Sequence, residues 1–161
     1  MNPWRFRADW LELSDLVLDI DPTTLERRPV DVGHVHDVLT AQGNPWGARI
    51  LASLPTDGRG SYAPAAVDAL LVRCHLELQR LALELQQGAR TRDRLRGLLP
   101  WVRERVEGPI RIVDVGCGIG YVLRWLAAWG ELGSDVELIG CDFNLALLEE
   151  ARRLARADGL S

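Results

Sequence analysis

The residues best equipped for chemistry lie between positions 113 and 143. The run Val113-Asp114-Val115-Gly116-Cys117-Gly118-Ile119-Gly120 sets a carboxylate two positions ahead of three alternating glycines. A chain that leaves a strand and enters a helix at once needs left-handed backbone and close approaches that a Cβ forbids. The helix that follows presents unpaired N–H groups and a partial positive charge to whatever sits above the strand end. One helix and one strand later stands Asp142, where a carboxylate can accept both hydroxyl hydrogens of a ribose. Two separate elements thus converge on one crevice, which is more specific than either alone.

The glycine pattern narrows the ligand. A dinucleotide fingerprint reads G-x-G-x-x-G, and Tyr121 stands where its third glycine belongs. Asp114, inside the strand, is unhelpful beside a pyrophosphate but suits the ammonium of a cationic amino-acid ligand. The spacing from Asp114 to Asp142 exceeds the ~20 residues usual in compact Rossmann units. A loop over 130–135 can absorb the excess without moving either strand end.

These residues require particular elements around them. Ile110 to Val115 and Val136 to Cys141 read as short strands, Tyr121 to Trp129 as a helix, and Asn144 as the cap of a last helix reaching Ala157. That order, β-α-β-α, opens a doubly wound α/β sheet. Upstream, Val67, Leu70, Leu71, Cys74, Leu78, Leu81 and Leu85 form one helical stripe, opened near Pro64 and stopped at Gly88. Residues 90–96 lead into a further helix, kinked or broken at Pro100 and ended by Gly108-Pro109. Trp10, Leu13, Leu16, Val17 and Ile20 have helical spacing, and a short helix fits Trp46 to Leu54 between two prolines. The remainder of residues 1–62 is broken into pieces by Gly and Pro. The expected organisation is a mostly helical region, 1–108, followed by an α/β portion, 109–161. The N-terminal region is expected to act as a cap or lid, its Leu stripe packed on the α/β part, with substrate choice lodged there or in the part of the α/β domain not found in this sequence.

The segment 110–158 resembles the class I S-adenosylmethionine-dependent methyltransferases, whose first motif reads acidic-x-Gly-x-Gly-x-Gly. The resemblance implies a Rossmann-like methyltransferase sheet and S-adenosyl-L-methionine as cofactor. It places Asp114, Gly116, Cys117, Gly118 and Gly120 under the methionine part, Asp142 on the ribose hydroxyls and Phe143 against adenine. It identifies no catalytic residue and no methyl acceptor. The family sheet has about seven strands and two are found here. The chain is therefore expected to be the front portion of the domain, truncated or one half of a split enzyme, and inactive alone. The open edge of its first strand would then recruit a second copy or a second polypeptide. A non-catalytic cofactor half-site, serving in interaction, and a fragment of a dinucleotide-binding oxidoreductase are the competing readings.

Composition bounds the rest. The chain has 161 residues, 19 basic against 23 acidic, and a net charge of −4. A 47% hydrophobic content supports a folded core rather than a disordered chain. The acidic excess argues against nucleic acid as a partner, and no apolar run is long enough for a membrane span. All basic residues are Arg, which codon bias explains. Cys74, Cys117 and Cys141 lack paired metal spacing, so reduced thiols in a cytoplasm are expected.

Three weaker features have bland explanations. His34 and His36 would share a metal only on a strand, and no further ligand pair follows them, so no metal is expected. Asn44-Pro45-Trp46 partly resembles the Asn-Pro-Pro-aromatic tetrapeptide of amino-group methyltransferases, but one Pro is missing and a turn before a helix suffices. His75, at the margin of the Leu stripe, reads as a boundary histidine before it reads as a base.

Overall fold

A computed structural model describes residues 16–160. The chain divides into two compact units, Met1–Leu70 and Leu71–Ser161. The fold is mixed α/β, with helices dominating the N-terminal stretch.

In the first unit, β1 (Asp19–Ile20) and β2 (Arg27–Arg28) pair antiparallel, Ile20 opposite Arg27. Asp21 holds the turn between them by accepting from the N–H groups of Thr23 (2.8 Å) and Thr24 (3.0 Å). α1 (Val32–Ala41) starts where Asp31 accepts from the His34 N–H at 2.7 Å, an N-cap that satisfies an orphan donor. α2 (Pro45–Ala52) follows, with Asn44 as cap and Pro45 at the first position. Val17, Val35, Leu39, Leu51, Tyr62 and Val67 form the buried interior of this unit.

α3 (Pro64–Glu84) runs across the division between the units, and α4 (Gln87–Arg103) follows it after two residues. The second unit then continues as β3 (Ile110–Val115), α5 (Tyr121–Trp129), β4 (Val136–Cys141) and α6 (Leu145–Ala157). β3 and β4 pair in parallel, from Ile110 opposite Val136 to Val115 opposite Cys141. Strand residues alternate between faces, and one face meets helices: Leu99 of α4, Leu126 of α5, Ile110 and Leu132 are buried together, with Ile112 and Leu138 packed against them. Val113, Val115 and Ile139, on the opposite face, stay exposed. The loop before β4 is gripped by Arg103, whose guanidinium donates to both oxygens of Asp135 (2.7 and 2.8 Å) and to the Leu132 carbonyl (2.6 Å).

Several expectations need correction. Gly88 does not stop the long helix. That helix ends at Glu84, Gln86 takes the left-handed turn at φ +53°, and Gly88 lies inside α4. The reason is contact: a Cβ on Gly88 would lie 2.3 Å from the Trp125 ring. Pro100 is accommodated within α4, which ends at Arg103 rather than at Gly108. The Leu stripe is only partly packed, since Val67 and Leu71 are buried while Leu78, Leu81 and Leu85 are half or more exposed. The hairpin of β1 and β2, and α1, were not foreseen. The proposed helix around Trp10 lies mostly outside the described residues, and Asp19–Ile20 is strand.

Candidate functional site

The turn from β3 into α5 is built by its glycines. Gly116, Gly118 and Gly120 adopt φ of +77°, +54° and +69°, a region L side chains avoid. The Cys141 carbonyl, at the end of β4, accepts from the N–H groups of Gly116 (2.8 Å) and Cys117 (3.0 Å). Gly120 N–H donates to the Cys117 carbonyl at 2.8 Å, closing the turn as α5 begins. Gly116 faces open space, whereas a Cβ on Gly118 would lie 2.6 Å from Cδ2 of His75. Gly140, on β4, is also tightly placed: a Cβ there would reach Cys117 Sγ and Leu123 at 2.9 Å.

Asp142 ties the two strand ends together. Its Oδ2 accepts from the Gly118 N–H at 2.8 Å, and its Oδ1 from the Asn144 N–H at 2.8 Å. Asn144 in turn caps α6, its Oδ1 accepting from Ala146 (3.0 Å) and Leu147 (3.4 Å). Each carboxylate oxygen retains a lone pair for a further donor.

A cavity of about 210 Å³ adjoins the turn, lined by His75, Gln79, Asp114, Gly116, Cys117 and Tyr121 among others. Pockets that bury a drug-sized ligand run roughly 300–1,000 Å³, so this cavity suits one end of such a ligand. Asp114 accepts no hydrogen bond among the described residues. Burial, and secondly the charge of Asp142, push its pKa up. A carboxylate held this way, without a cation, favours a positively charged ligand. Cys117 is pushed up to about 11, first by burial and then by Asp142 and Asp114. It is therefore a neutral thiol near pH 7 and no nucleophile.

The structure thus gathers Asp114, Gly116 and Cys117 around the cavity and joins Asp142 to them through Gly118. Gly120 is buried at the start of α5, a Cβ there lying 3.4 Å from Ala151. Phe143 projects outward, 57% exposed, and does not line the cavity. Three polar residues of helices α3 and α4 that line the cavity, His75, Gln79 and Gln87, lie outside the candidate set. His75 and Gln79 come from α3, four positions apart and hence on one helical face. Only that spacing was available in the sequence. The elements bearing His34 and His36 are also clear: they lie on α1, where a separation of two turns side chains about 200° apart.

A family model described as a methyltransferase domain matches residues 112–161. The matched segment includes all seven candidate residues and supports the class I S-adenosylmethionine-dependent resemblance over that stretch. No curated protein and no solved structure matches the chain. No helix among the described residues is long and apolar enough to cross a membrane.

Proposed function

We propose that the C-terminal unit binds S-adenosyl-L-methionine as the cofactor half of a Rossmann-like class I methyltransferase, serving methyl transfer to a nucleophile not yet identified. The observation that carries this reading is Asp114: a half-buried carboxylate, paired with no cation among the described residues, beside a glycine turn open at Gly116. That donor set fits the ammonium-bearing end of the cofactor and repels a pyrophosphate. When bound, the cofactor supplies a sulfonium-activated methyl group. The chain's own share is orientation, which accounts for much of the rate in a two-reactant displacement.

In this reading Asp114 holds the ammonium, and Gly116, Cys117, Gly118 and Gly120 let the methionine part approach the backbone. Asp142 accepts from the ribose hydroxyls with its remaining lone pairs, and Phe143 offers an exposed ring to adenine. β3 pairs only with β4 among the described residues. Completion of the doubly wound sheet on the other edge of β3, by further strands of this protein or of another polypeptide, belongs to the same proposal. So do substrate choice by the helical N-terminal region and a cytoplasmic setting for the three free thiols.

Calorimetric titration tests the assignment. S-adenosylhomocysteine is expected to bind and NAD is not. Tighter binding of NAD would replace the methyltransferase reading with a dinucleotide one.

A further inference from the structure

His75 and Gln79 line the cavity together with the glycine turn, and neither has a role in the reading above. Their hydrogen bonds fix what each presents. The Leu71 carbonyl lies 2.8 Å from His75 Nδ1. A carbonyl can only accept, so Nδ1 carries the proton, and in the neutral ring Nε2 is left with a lone pair. The Cδ2–Nε2 edge rests against Gly118, 2.6 and 3.1 Å from where a Cβ would stand. That contact holds the free nitrogen at the turn.

Gln79 is fixed by the same logic. Its Oε1 accepts from Nη2 of Arg124, a guanidinium that can only donate. Arg124 is itself anchored, with Nη1 paired to Asp158 and its side chain 11% exposed. The carbonyl of Gln79 is thereby committed, and its amide N–H₂ is the group free for a ligand. The cavity is thus lined by an acceptor and a donor four residues apart on α3, and by the carboxylate of Asp114. An α-amino acid carries the matching pair, an ammonium and a carboxylate on one carbon.

We infer that α3 recognises the amino-acid end of the cofactor, with His75 Nε2 accepting from its ammonium beside Asp114 and Gln79 donating to its carboxylate. This rests on the proposed cofactor and assigns the residues that distinguish its amino-acid end from its nucleoside end.

The test compares two probes by calorimetry: S-adenosylhomocysteine, and 5′-methylthioadenosine, which lacks the amino-acid portion. Wild type is expected to prefer S-adenosylhomocysteine by tenfold or more. His75→Phe and Gln79→Leu should each reduce that preference at least fivefold while leaving methylthioadenosine affinity within twofold. His75→Gln, which keeps an acceptor near the Nε2 position, should retain most of it. In parallel, nitrogen NMR of the free protein at pH 8 should find the His75 proton on Nδ1, and S-adenosylhomocysteine should shift the Nε2 resonance. An unchanged preference in both variants overturns the inference and leaves the cofactor assignment standing. Equal weakening of both probes also overturns it, marking the two residues as structural. A proton on Nε2 in the free protein overturns it without any ligand. Wild type that binds neither probe removes the cofactor assignment and this inference together.

Discussion

The backbone N–H of Gly118 donates to Oδ2 of Asp142 at 2.8 Å, fastening the turn after β3 to the end of β4. A residue chosen for a ligand's hydroxyls is thus also a fixture of the unliganded turn. Hydrogen bonds to charged groups contribute about 1.5–3 kcal/mol each. Asp142→Ala strips the acceptor from two backbone donors, Gly118 and Asn144, and should cost about 3 kcal/mol or more in urea unfolding. It should also weaken S-adenosylhomocysteine at least tenfold under conditions where the variant remains folded.

Asp114 is expected to oppose folding at neutral pH. Its raised folded-state pKa, caused by burial and then by Asp142, means the fold prefers the protonated carboxyl. Stability from that preference is full below the unfolded value near 3.9 and is lost as pH rises through the folded one. Asp114→Asn should therefore have a higher urea midpoint than wild type at pH 7, and the two should converge toward pH 3. The same variant should bind S-adenosylhomocysteine at least tenfold more weakly. An equal or lower midpoint at pH 7 would contradict the burial argument.

Cys117 should be slow to alkylate. With its pKa at about 11, the thiolate fraction at pH 8 is roughly two-hundredfold below that of an ordinary cysteine of pKa ~8.5. Peptide mapping after timed iodoacetamide treatment should find Cys141, which is exposed, modified first. The Cys117 rate should still be climbing between pH 9 and 11. A plateau below pH 9 would mean that the thiol is not shielded as described.

Gly88→Ala should destabilise the second unit by about 1–3 kcal/mol, the usual cost of overpacking. The added methyl would sit 2.3 Å from Trp125 Cδ2, and neither helix can yield without disturbing the shared core of Leu99 and Leu126. Urea unfolding monitored by tryptophan fluorescence reads the loss. Gly97→Ala, which meets no neighbour, should not destabilise and serves as the control.

The elements from β3 to α6 were legible because local signals agree there. A β-branched run precedes the glycines, and Asn144 announces α6 as an N-cap. The fates of Gly88 and His75 were not legible. Gly88 reads as a helix stop because glycine usually ends helices, but here it is demanded by a ring on α5, a partner far along the chain. His75 reads as a boundary residue until α3 is laid beside Gly118. α1 was missed although Asp31 marks its start, since Gly33 obscured the pattern. Val113, Val115 and Ile139 give no local sign that their face of the sheet lies open.

The pairing of β3 with β4 also bears on how this unit reaches its structure. Arg111 and Glu137, opposite each other in the ladder, are 26 residues apart, and the strands run parallel, so no tight turn can zip them together. Closing such a loop costs entropy that grows as about (3/2)RT ln n, before any strand hydrogen bond returns it. Leu99 of α4 and Leu126 of α5, packed in one core, are themselves 27 residues apart, so docking the helices meets a closure cost of the same size. The barrier to folding should therefore involve both helices and both strands together, with the glycine turn, hung from the sheet, forming along with it.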